Sequence, residues 1–181
     1  MKNILLILLM WGVGFPALAA DDPEGASAPV AVSAADPGED KAGSGLPIPR
    51  FVSLRSDKVF VRTGPALRYP IKWVYNRADM PVEIIQEFDT WRKIKDIDGD
   101  EGWVHQSLLS PKRAVLVTAP NDINLNKEPD LTTPVLAKLE PHVLAMVKAC
   151  DPVWCEVEAG GYQGWTERKY LWGVYPQERF N

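Results

Sequence analysis

From residue 50 onwards, the chain alternates short runs of large apolar residues with turn-forming residues. In the first half, the runs rich in Val, Ile, Trp, Tyr and Phe are residues 58–62, 71–75, 81–87, 91–95 and 101–105. Turn signals such as Thr63-Gly64-Pro65 and Asp98-Gly99 separate them. No segment keeps a helical period long enough to bury an apolar stripe. The pattern therefore predicts five short strands within ~60 residues, which can hide their edges by closing into a small barrel.

The same pattern occurs a second time. Trp91-Arg92-Lys93-Ile94 returns as Trp154-Cys155-Glu156-Val157, an offset of 63 positions (154 − 91). A period of this length is too long for a solenoid repeat and suits a small complete domain. The sequence predicts an all-β protein with two tandem five-stranded barrels, at residues 50–112 and 113–171. The tail at 172–181 is too apolar for a free end, so we expect it to pack on a barrel or to seal the contact between the two.

Residues 1–49 lack the strand pattern and divide into two parts. Residues 1–20 combine Lys2, an apolar run at 4–13 and Ala17-Leu18-Ala19 as a small-residue cleavage site, which is typical of a secretory signal peptide. An uncleaved anchor is the alternative, because the apolar run is only marginally short of a membrane span. Residues 21–49 are rich in Ala, Pro, Gly and Ser with six acidic residues and one basic residue, and they predict a disordered linker. These features predict a periplasmic or secreted protein with no stable membrane insertion after signal cleavage.

The charge is distributed unevenly between the two copies. Residues 50–113 carry 12 basic and 9 acidic side chains, a net charge of +3, whereas residues 114–181 carry 6 and 9, a net charge of −3. The first copy can therefore lean toward anionic surfaces, although charges scattered over a solvated sheet are the commoner explanation of such a value. A whole-chain charge of −4 without a basic stripe argues against nucleic acid as a partner.

Four separated motifs of the first copy carry a family resemblance. They are Val59-Phe60-Val61-Arg62-Thr63-Gly64-Pro65, then Trp91, then Gly102-Trp103-Val104, and finally Leu108-Leu109. In this order they resemble the bacterial SH3 (SH3b) family, and the resemblance covers nearly all of residues 52–110. The second copy departs from the family outline, with Asn126 in place of the Arg and Glu128 in place of the Gly. The resemblance implies a small five-stranded barrel, and members of the family often target cell-wall hydrolases to peptidoglycan or bind peptides.

Strand alternation assigns the tryptophans to faces. If Ile94 points into the core, Trp91 points outward, and the same parity places Cys155 and Val157 inside and Trp154 outside. An outward aromatic at equivalent positions is a candidate stacking surface for a sugar or a peptide. The alternative is a tryptophan covered by the neighbouring loop or by the other barrel. By contrast, we expect Trp103 and Trp165 to pack in the core or between the barrels.

Further aromatic residues concentrate in the first copy and make it the preferred binding module. Trp73 and Tyr75 share one face of their strand, and Tyr69 precedes them. Arg62 belongs to the opening motif of the family, so the resemblance adds it to the candidates. The predicted ligand-binding residues are Trp91, Trp73, Tyr75, Tyr69 and Arg62.

The two cysteines predict a disulfide. Cys150 and Cys155 flank a turn between two predicted strands, and an exported protein with cysteines so placed favours a covalent bond. At the 63-residue offset the first copy carries Glu87 and Arg92. We therefore expect an ion pair in the first hairpin where the second hairpin has the disulfide.

The sequence offers little for catalysis, cofactors or metals. Its only histidines are His105 and His142, one in each copy, and no nucleophile motif or phosphate-binding glycine loop is present. The acidic run at 96–101 lacks the spacing of a calcium loop and is interpreted as a hairpin turn. We therefore expect a non-catalytic protein without cofactor or metal that binds peptidoglycan or an envelope peptide. The alternative is a structural or adaptor protein that binds an envelope protein through its barrel aromatics.

Overall fold

The structure, a computed structural model, describes residues 43–180. The predicted signal peptide at 1–20 and the predicted linker up to residue 42 lie outside the described residues. Among the residues described, no helix has the length and apolar character needed to cross a membrane.

The first module is a seven-stranded antiparallel sheet. Its strands, in chain order, are β1 (Arg50–Leu54), β2 (Val59–Arg62), β3 (Ile71–Tyr75), β4 (Pro81–Phe88), β5 (Trp91–Lys95), β6 (Glu101–His105) and β7 (Leu109–Ser110). In space they follow the order β3-β2-β6-β5-β4-β1-β7. A single 3₁₀ turn at Gln106–Leu108 connects β6 to β7.

The second module repeats this topology strand for strand. Its strands are β8 (Ala114–Val117), β9 (Ile123–Asn126), β10 (Val135–Leu139), β11 (Leu144–Cys150), β12 (Trp154–Ala159), β13 (Tyr162–Glu167) and β14 (Leu171–Trp172). Their spatial order is β10-β9-β13-β12-β11-β8-β14, and a 3₁₀ turn at Arg168–Tyr170 precedes the last strand. The predicted all-β class and the tandem repeat are confirmed.

The number of strands differs from the prediction of five per module. The five predicted strands of the first copy correspond to β2–β6, and the structure adds β1 and the two-residue β7. β1 pairs with β4 on one side and with β7 on the other. These two strands are defined by pairing between distant residues, a signal that local apolar patterning does not carry.

Each module has its own hydrophobic core. In the first module, the fully enclosed side chains include Leu54, Val61, Ile94 and Val104. The second core is formed mainly by aliphatic side chains such as Val117, Leu125 and Val157, and it also contains both cysteines. The parity prediction is confirmed, since Ile94, Cys155 and Val157 are fully buried.

The C-terminal tail contacts both modules. Trp172 and Tyr175 pack on Phe51 of β1, with ring centroids 5.1 Å and 4.7 Å apart. The Tyr175 hydroxyl lies 2.9 Å from a carboxylate oxygen of Glu83. At the other end of the tail, Phe180 pairs with Cys150 through backbone hydrogen bonds.

Candidate functional site

Trp73 and Tyr75 pack against the core of the first module. The two rings meet edge to face with centroids 6.0 Å apart, and both contact the buried cluster below the sheet. The Tyr75 hydroxyl lies 2.7 Å from the Asp96 carboxylate. Burial and the hydrogen bond to Asp96 raise the pKa of Tyr75 above its usual value. Much of the aromatic surface of this pair is therefore used within the fold, although both side chains remain partly exposed.

Of the two alternatives left open for Trp91, the structure shows the covered one. Trp91 lies on the sheet face opposite Ile94, as alternation predicts, but only 8% of its surface is accessible. The ring of His105 meets it edge to face at 5.5 Å. The loop between β2 and β3 also lies beside it, since Pro65 and Tyr69 share a cavity with Trp91. Strand parity gives the face of a side chain and does not reveal a loop that folds over that face.

The cavity beside Trp91 is the candidate functional site. Its volume is about 360 Å³, and its lining consists of Pro65, Ala66, Arg68, Tyr69, Phe88, Asp89 and Trp91. Three aromatic rings and one proline offer flat apolar surface, while Arg68 and Asp89 bring opposite charges to the rim. The guanidinium carbon of Arg68 lies 5.1 Å from the centre of the Tyr69 ring. Such a combination suits a ligand with an apolar body and charged ends.

Arg62 holds the loop that forms one wall of this cavity. Its guanidinium donates to the carbonyl oxygens of Leu67 at 3.1 Å and Tyr69 at 2.8 Å. Gly64 allows the Tyr69 ring to lie close to the backbone, because an added Cβ at Gly64 would stand 2.6 Å from that ring. These contacts give the Arg62 guanidinium a positioning role, and its predicted contact with ligand stays a prediction.

The opposite wall is the hairpin between β4 and β5, which Arg92 holds in place. Its guanidinium donates to the carbonyl oxygens of Asp89 and Trp91 and to the side-chain oxygen of Gln106. Its Nε lies 3.1 Å from the carboxylate of Glu87. At Asp89 the backbone takes a positive φ of 51°, a conformation that Asp tolerates in tight turns. The predicted Glu87–Arg92 ion pair is confirmed, and it joins the two strands of the hairpin that forms this wall of the cavity.

Glu87 has further partners that keep it ionised. Arg50 donates to the same carboxylate at 2.5 Å, and the backbone N–H and hydroxyl of Ser44 donate to it as well. Burial by itself would raise the pKa of Glu87, but the hydrogen bonds from Arg50 and Ser44 outweigh it and lower the pKa from 4.5 to about 2. Ser44 comes from the last part of the predicted linker, which therefore contacts the first module.

A family comparison matches both modules. The family model described as bacterial SH3 domain matches residues 55–111 and again residues 119–173, together more than half of the chain. The chain belongs to the bacterial SH3 domain family. The resemblance read from the opening and closing motifs of the first copy is confirmed, and the second, divergent copy belongs to the family as well.

Comparisons with whole proteins add little to this family assignment. Two solved structures from Trichomonas vaginalis, of NlpC2 and NlpC1, are similar to the chain at 13% and 14% identity, with TM-scores of 0.32 and 0.31. The similarity covers 68% and 72% of this chain, and the chain spans about half of each of those structures, 48% in both cases. No curated protein matches the chain at a significant level.

The second bacterial SH3 domain closes its hairpin with a covalent bond. Cys150 and Cys155 are paired residues of β11 and β12, and their sulfur atoms are bonded at 2.00 Å. The turn between them is capped by the Asp151 carboxylate, which accepts from the backbone N–H groups of Val153 and Trp154. Those two hydrogen bonds lower the pKa of Asp151. The predicted disulfide is confirmed.

Trp103 and Trp165 belong to neither core, so the expectation of core packing is wrong, while packing between the barrels stays a prediction. Trp103 pairs with Lys93 and Arg62, and Trp165 pairs with Glu156 and Asn126. Each lies on the face opposite a buried neighbour, Val104 or Thr166, and remains partly exposed. The apolar character of a tryptophan did not reveal that its strand position faces outward.

The acidic run after β5 is a hairpin turn. One carboxylate oxygen of Asp96 accepts from the backbone N–H groups of Asp98 and Asp100, and the other accepts from Tyr75. Within residues 43–180, no three His, Cys, Asp or Glu side chains converge in a way that could hold a metal ion.

Of the seven residues that line the cavity, two were predicted from the sequence to bind ligand, Tyr69 and Trp91, and five were not. Arg68, Phe88 and Asp89 lie in a loop and at a hairpin tip, where strand alternation assigns no face. The available signal was the resemblance itself, because Arg68 lies three residues after Pro65, the last residue of the family's opening motif. The structure does not place Trp73 or Tyr75 in this cavity.

Proposed function

We propose that this protein is a non-catalytic, exported binding protein whose first bacterial SH3 domain engages the peptide part of peptidoglycan through the Tyr69–Trp91 cavity. The cavity is the observation that carries the proposal, because it combines aromatic surface with one cation and one anion at its rim. A peptide with free carboxylate and amino groups complements both charges, whereas a neutral sugar chain uses neither. Membership of the bacterial SH3 family supports an envelope ligand.

The walls of the cavity are held in a defined shape, which favours a binding role. Arg62 fixes the loop on one side, and Arg92 with Glu87 fixes the hairpin on the other. A site formed before the ligand arrives loses less conformational entropy on binding. The charge of +3 on residues 50–113 also attracts an anionic wall polymer.

Co-sedimentation with purified peptidoglycan sacculi tests this function. We expect the wild-type chain to sediment with the sacculi and the Tyr69→Ala variant to remain in solution, because the variant loses one aromatic wall. Tyr162→Ala is the matched control, since Tyr162 is an exposed aromatic residue of the second domain. Equal retention of wild type and Tyr69→Ala would overturn the proposed site.

A structural or adaptor role is the second candidate, and exposed apolar residues at the edge of the second sheet favour it. β10 is an edge strand, and its Val135 and Leu136 are exposed, as is Leu131 in the preceding loop. An apolar sheet edge can pair with a strand of another protein. In this case crosslinking in the envelope would yield a protein adduct that Leu136→Lys abolishes and Tyr69→Ala leaves intact.

A further inference from the structure

The first domain has a second cavity, which shares no lining residue with the Tyr69–Trp91 cavity. Its volume is about 380 Å³, which lies within the roughly 300 to 1,000 Å³ typical of sites for small organic ligands. The apolar part of its lining includes Leu46, Val52 and Leu109. Val52 and Leu109 also contact the hydrophobic core of the domain, so the cavity lies at one edge of that core.

The charged side chains that line this cavity are Arg50, Arg92 and Arg113, and no Asp or Glu of the described residues lines it. The side chains of Arg50 and Arg113 keep 18% and 23% of their surface accessible, so a ligand can reach them. Arg92 is more deeply buried. Two carboxylates outside the lining, Glu87 and Glu178, pair with the three guanidinium groups. The cavity therefore keeps an excess of one positive charge.

The two accessible arginines also keep unused hydrogen-bond donors. Each Nη atom of a guanidinium carries two hydrogens. Nη1 of Arg50 donates only to the carbonyl oxygen of Pro47, at 3.3 Å, and Nη1 of Arg113 donates only to Glu178. Each Nη1 is thus left with one N–H that has no partner among residues 43–180. Two N–H groups of this kind suit the two oxygens of a carboxylate.

The second domain has a counterpart of this position. Arg50 pairs with Ile84, and 63 positions further on the carbonyl oxygen of Arg113 accepts from the backbone N–H of Val147. Arg113 is therefore the counterpart of Arg50. In the second domain the end of the C-terminal tail lies beside this position, where it pairs with Cys150. In the first domain the segment before β1 reaches the equivalent place and contacts Glu87, the counterpart of Cys150.

The tail shows which chemistry fits the position in the second domain. Both Nη atoms of Arg113 donate to the carboxylate of Glu178, at 2.5 Å and 2.9 Å. The guanidinium carbon of Arg113 lies 5.1 Å from the centre of the Phe180 ring, and this ring packs against the second core. The tail thus brings a carboxylate to the arginine and an apolar group to the core.

The segment before β1 brings no such pair of groups to the first domain. It contributes Ser44 and Leu46 to the lining, and Leu46 is 59% exposed, so its side chain does not fill the cavity. The position is open in the first domain, whereas the tail occupies it in the second.

We infer that the first domain binds a small monocarboxylic acid with an apolar body in this cavity. Arg50 and Arg113 hold the carboxylate, and the apolar body lies against Leu46, Val52 and Leu109. The site does not depend on the proposed function, because it uses no residue of the Tyr69–Trp91 cavity.

Titration of the full chain with octanoate at neutral pH, followed by NMR at the methyl signals of Val52 and Leu109, tests this inference. We expect octanoate to shift both signals. Acetate has the carboxylate without the apolar chain, and octanol has the chain without the charge. Both should bind about tenfold or more weakly, because each lacks one of the two contacts.

Position 46 offers a matched pair of variants, because Leu46 is exposed and its replacement leaves the core intact. Leu46→Glu and Leu46→Lys lose the same apolar contact, but only Leu46→Glu adds a carboxylate to the lining. Leu46→Glu should therefore bind octanoate about fivefold or more weakly than Leu46→Lys. Leu131→Glu, at an exposed position of the second domain, is the control and should bind octanoate as the wild type does.

Three results would overturn the inference. The first is that octanoate leaves both methyl signals unchanged, and the second is that acetate or octanol binds as tightly as octanoate. The third is equal binding of octanoate by Leu46→Glu and Leu46→Lys. Tyr69→Ala should bind octanoate as the wild type does, so that failure of this site and failure of the peptide cavity are distinguished.

Discussion

Nε of Arg92 lies 3.1 Å from the carboxylate of Glu87, at the paired strand positions where the second domain carries the Cys150–Cys155 disulfide. Both hairpins lead directly into the tryptophan that lines a cavity, Trp91 or Trp154. The same structural position is thus closed by electrostatics in one copy and by a covalent bond in the other. In each copy the closure joins the two strands of the hairpin at the residue next to that tryptophan.

Removal of the Arg92 side chain should destabilise the first domain. Arg92 is 4% exposed, and the Arg92→Ala change removes the ion pair to Glu87 together with the hydrogen bonds that hold Asp89 and Trp91. We expect the free energy of unfolding to fall by about 3 kcal/mol, measured by urea denaturation. Lys148→Ala is the control, because the Lys148–Glu158 pair is exposed on both sides and should contribute less than about 1 kcal/mol. Equal effects of the two changes would contradict the role given to Arg92.

Reduction of the disulfide should destabilise the second domain selectively. Loss of the Cys150–Cys155 bond should cost about 2 kcal/mol on the chain-entropy model, measured as the shift in urea midpoint with and without a thiol reductant. The double variant Cys150→Ala, Cys155→Ala should show the lower stability in both conditions. If the reductant shifts this variant too, its effect does not come from the disulfide.

The acid sensitivity of the first domain should depend on Glu87. Its pKa is about 2 in the folded protein and 4.5 as its ordinary value, so the carboxylate contributes stability above 4.5 that is lost as the pH falls toward 2. We expect the urea midpoint of the wild type to fall across this window. Glu87→Gln should be less stable than the wild type at neutral pH and should lose less stability on acidification. Parallel pH profiles of the two proteins would contradict the assignment.

The hydroxyl of Tyr175 should contribute to the contact between the two domains. It donates to Glu83 at 2.9 Å, and burial together with this hydrogen bond raises the pKa of Tyr175 above its usual value. Tyr175→Phe should lower the free energy of unfolding by about 1 kcal/mol or somewhat more, because Glu83 loses a donor. Tyr162→Phe, which alters an exposed hydroxyl, is the control and should have no measurable effect. A loss of the same size in both variants would show that the Glu83 contact contributes nothing.

The sequence predicted those parts of the fold that depend on local pattern. Alternation and the repeat identified five strands of each sheet and the buried positions of Ile94 and Val157. The placement of the two cysteines predicted the disulfide, and the offset between copies predicted the ion pair. The pattern did not predict β1 as a strand, because that assignment rests on pairing with β4 and β7.

The candidate site was predicted only in part, for a related physical reason. Tyr69 and Trp91 were identified as aromatic residues of the better-matching copy, but the loop that covers Trp91 follows no periodic pattern. Trp73 and Tyr75 are aromatic, as residues of a binding surface often are, and they share one face of their strand, as alternation predicts. Whether that face meets solvent or core depends on how the sheet curves, which alternation does not determine.

NMR titration of the full chain with soluble peptidoglycan peptides, followed at the tryptophan indole N–H signals, tests the central claim most directly. The Tyr69–Trp91 cavity predicts that the Trp91 signal shifts with ligand, that the Trp73 signal does not, and that Tyr69→Ala abolishes the shift. A shift confined to Trp73, or an unchanged Trp91 signal at saturating peptide, would contradict the account.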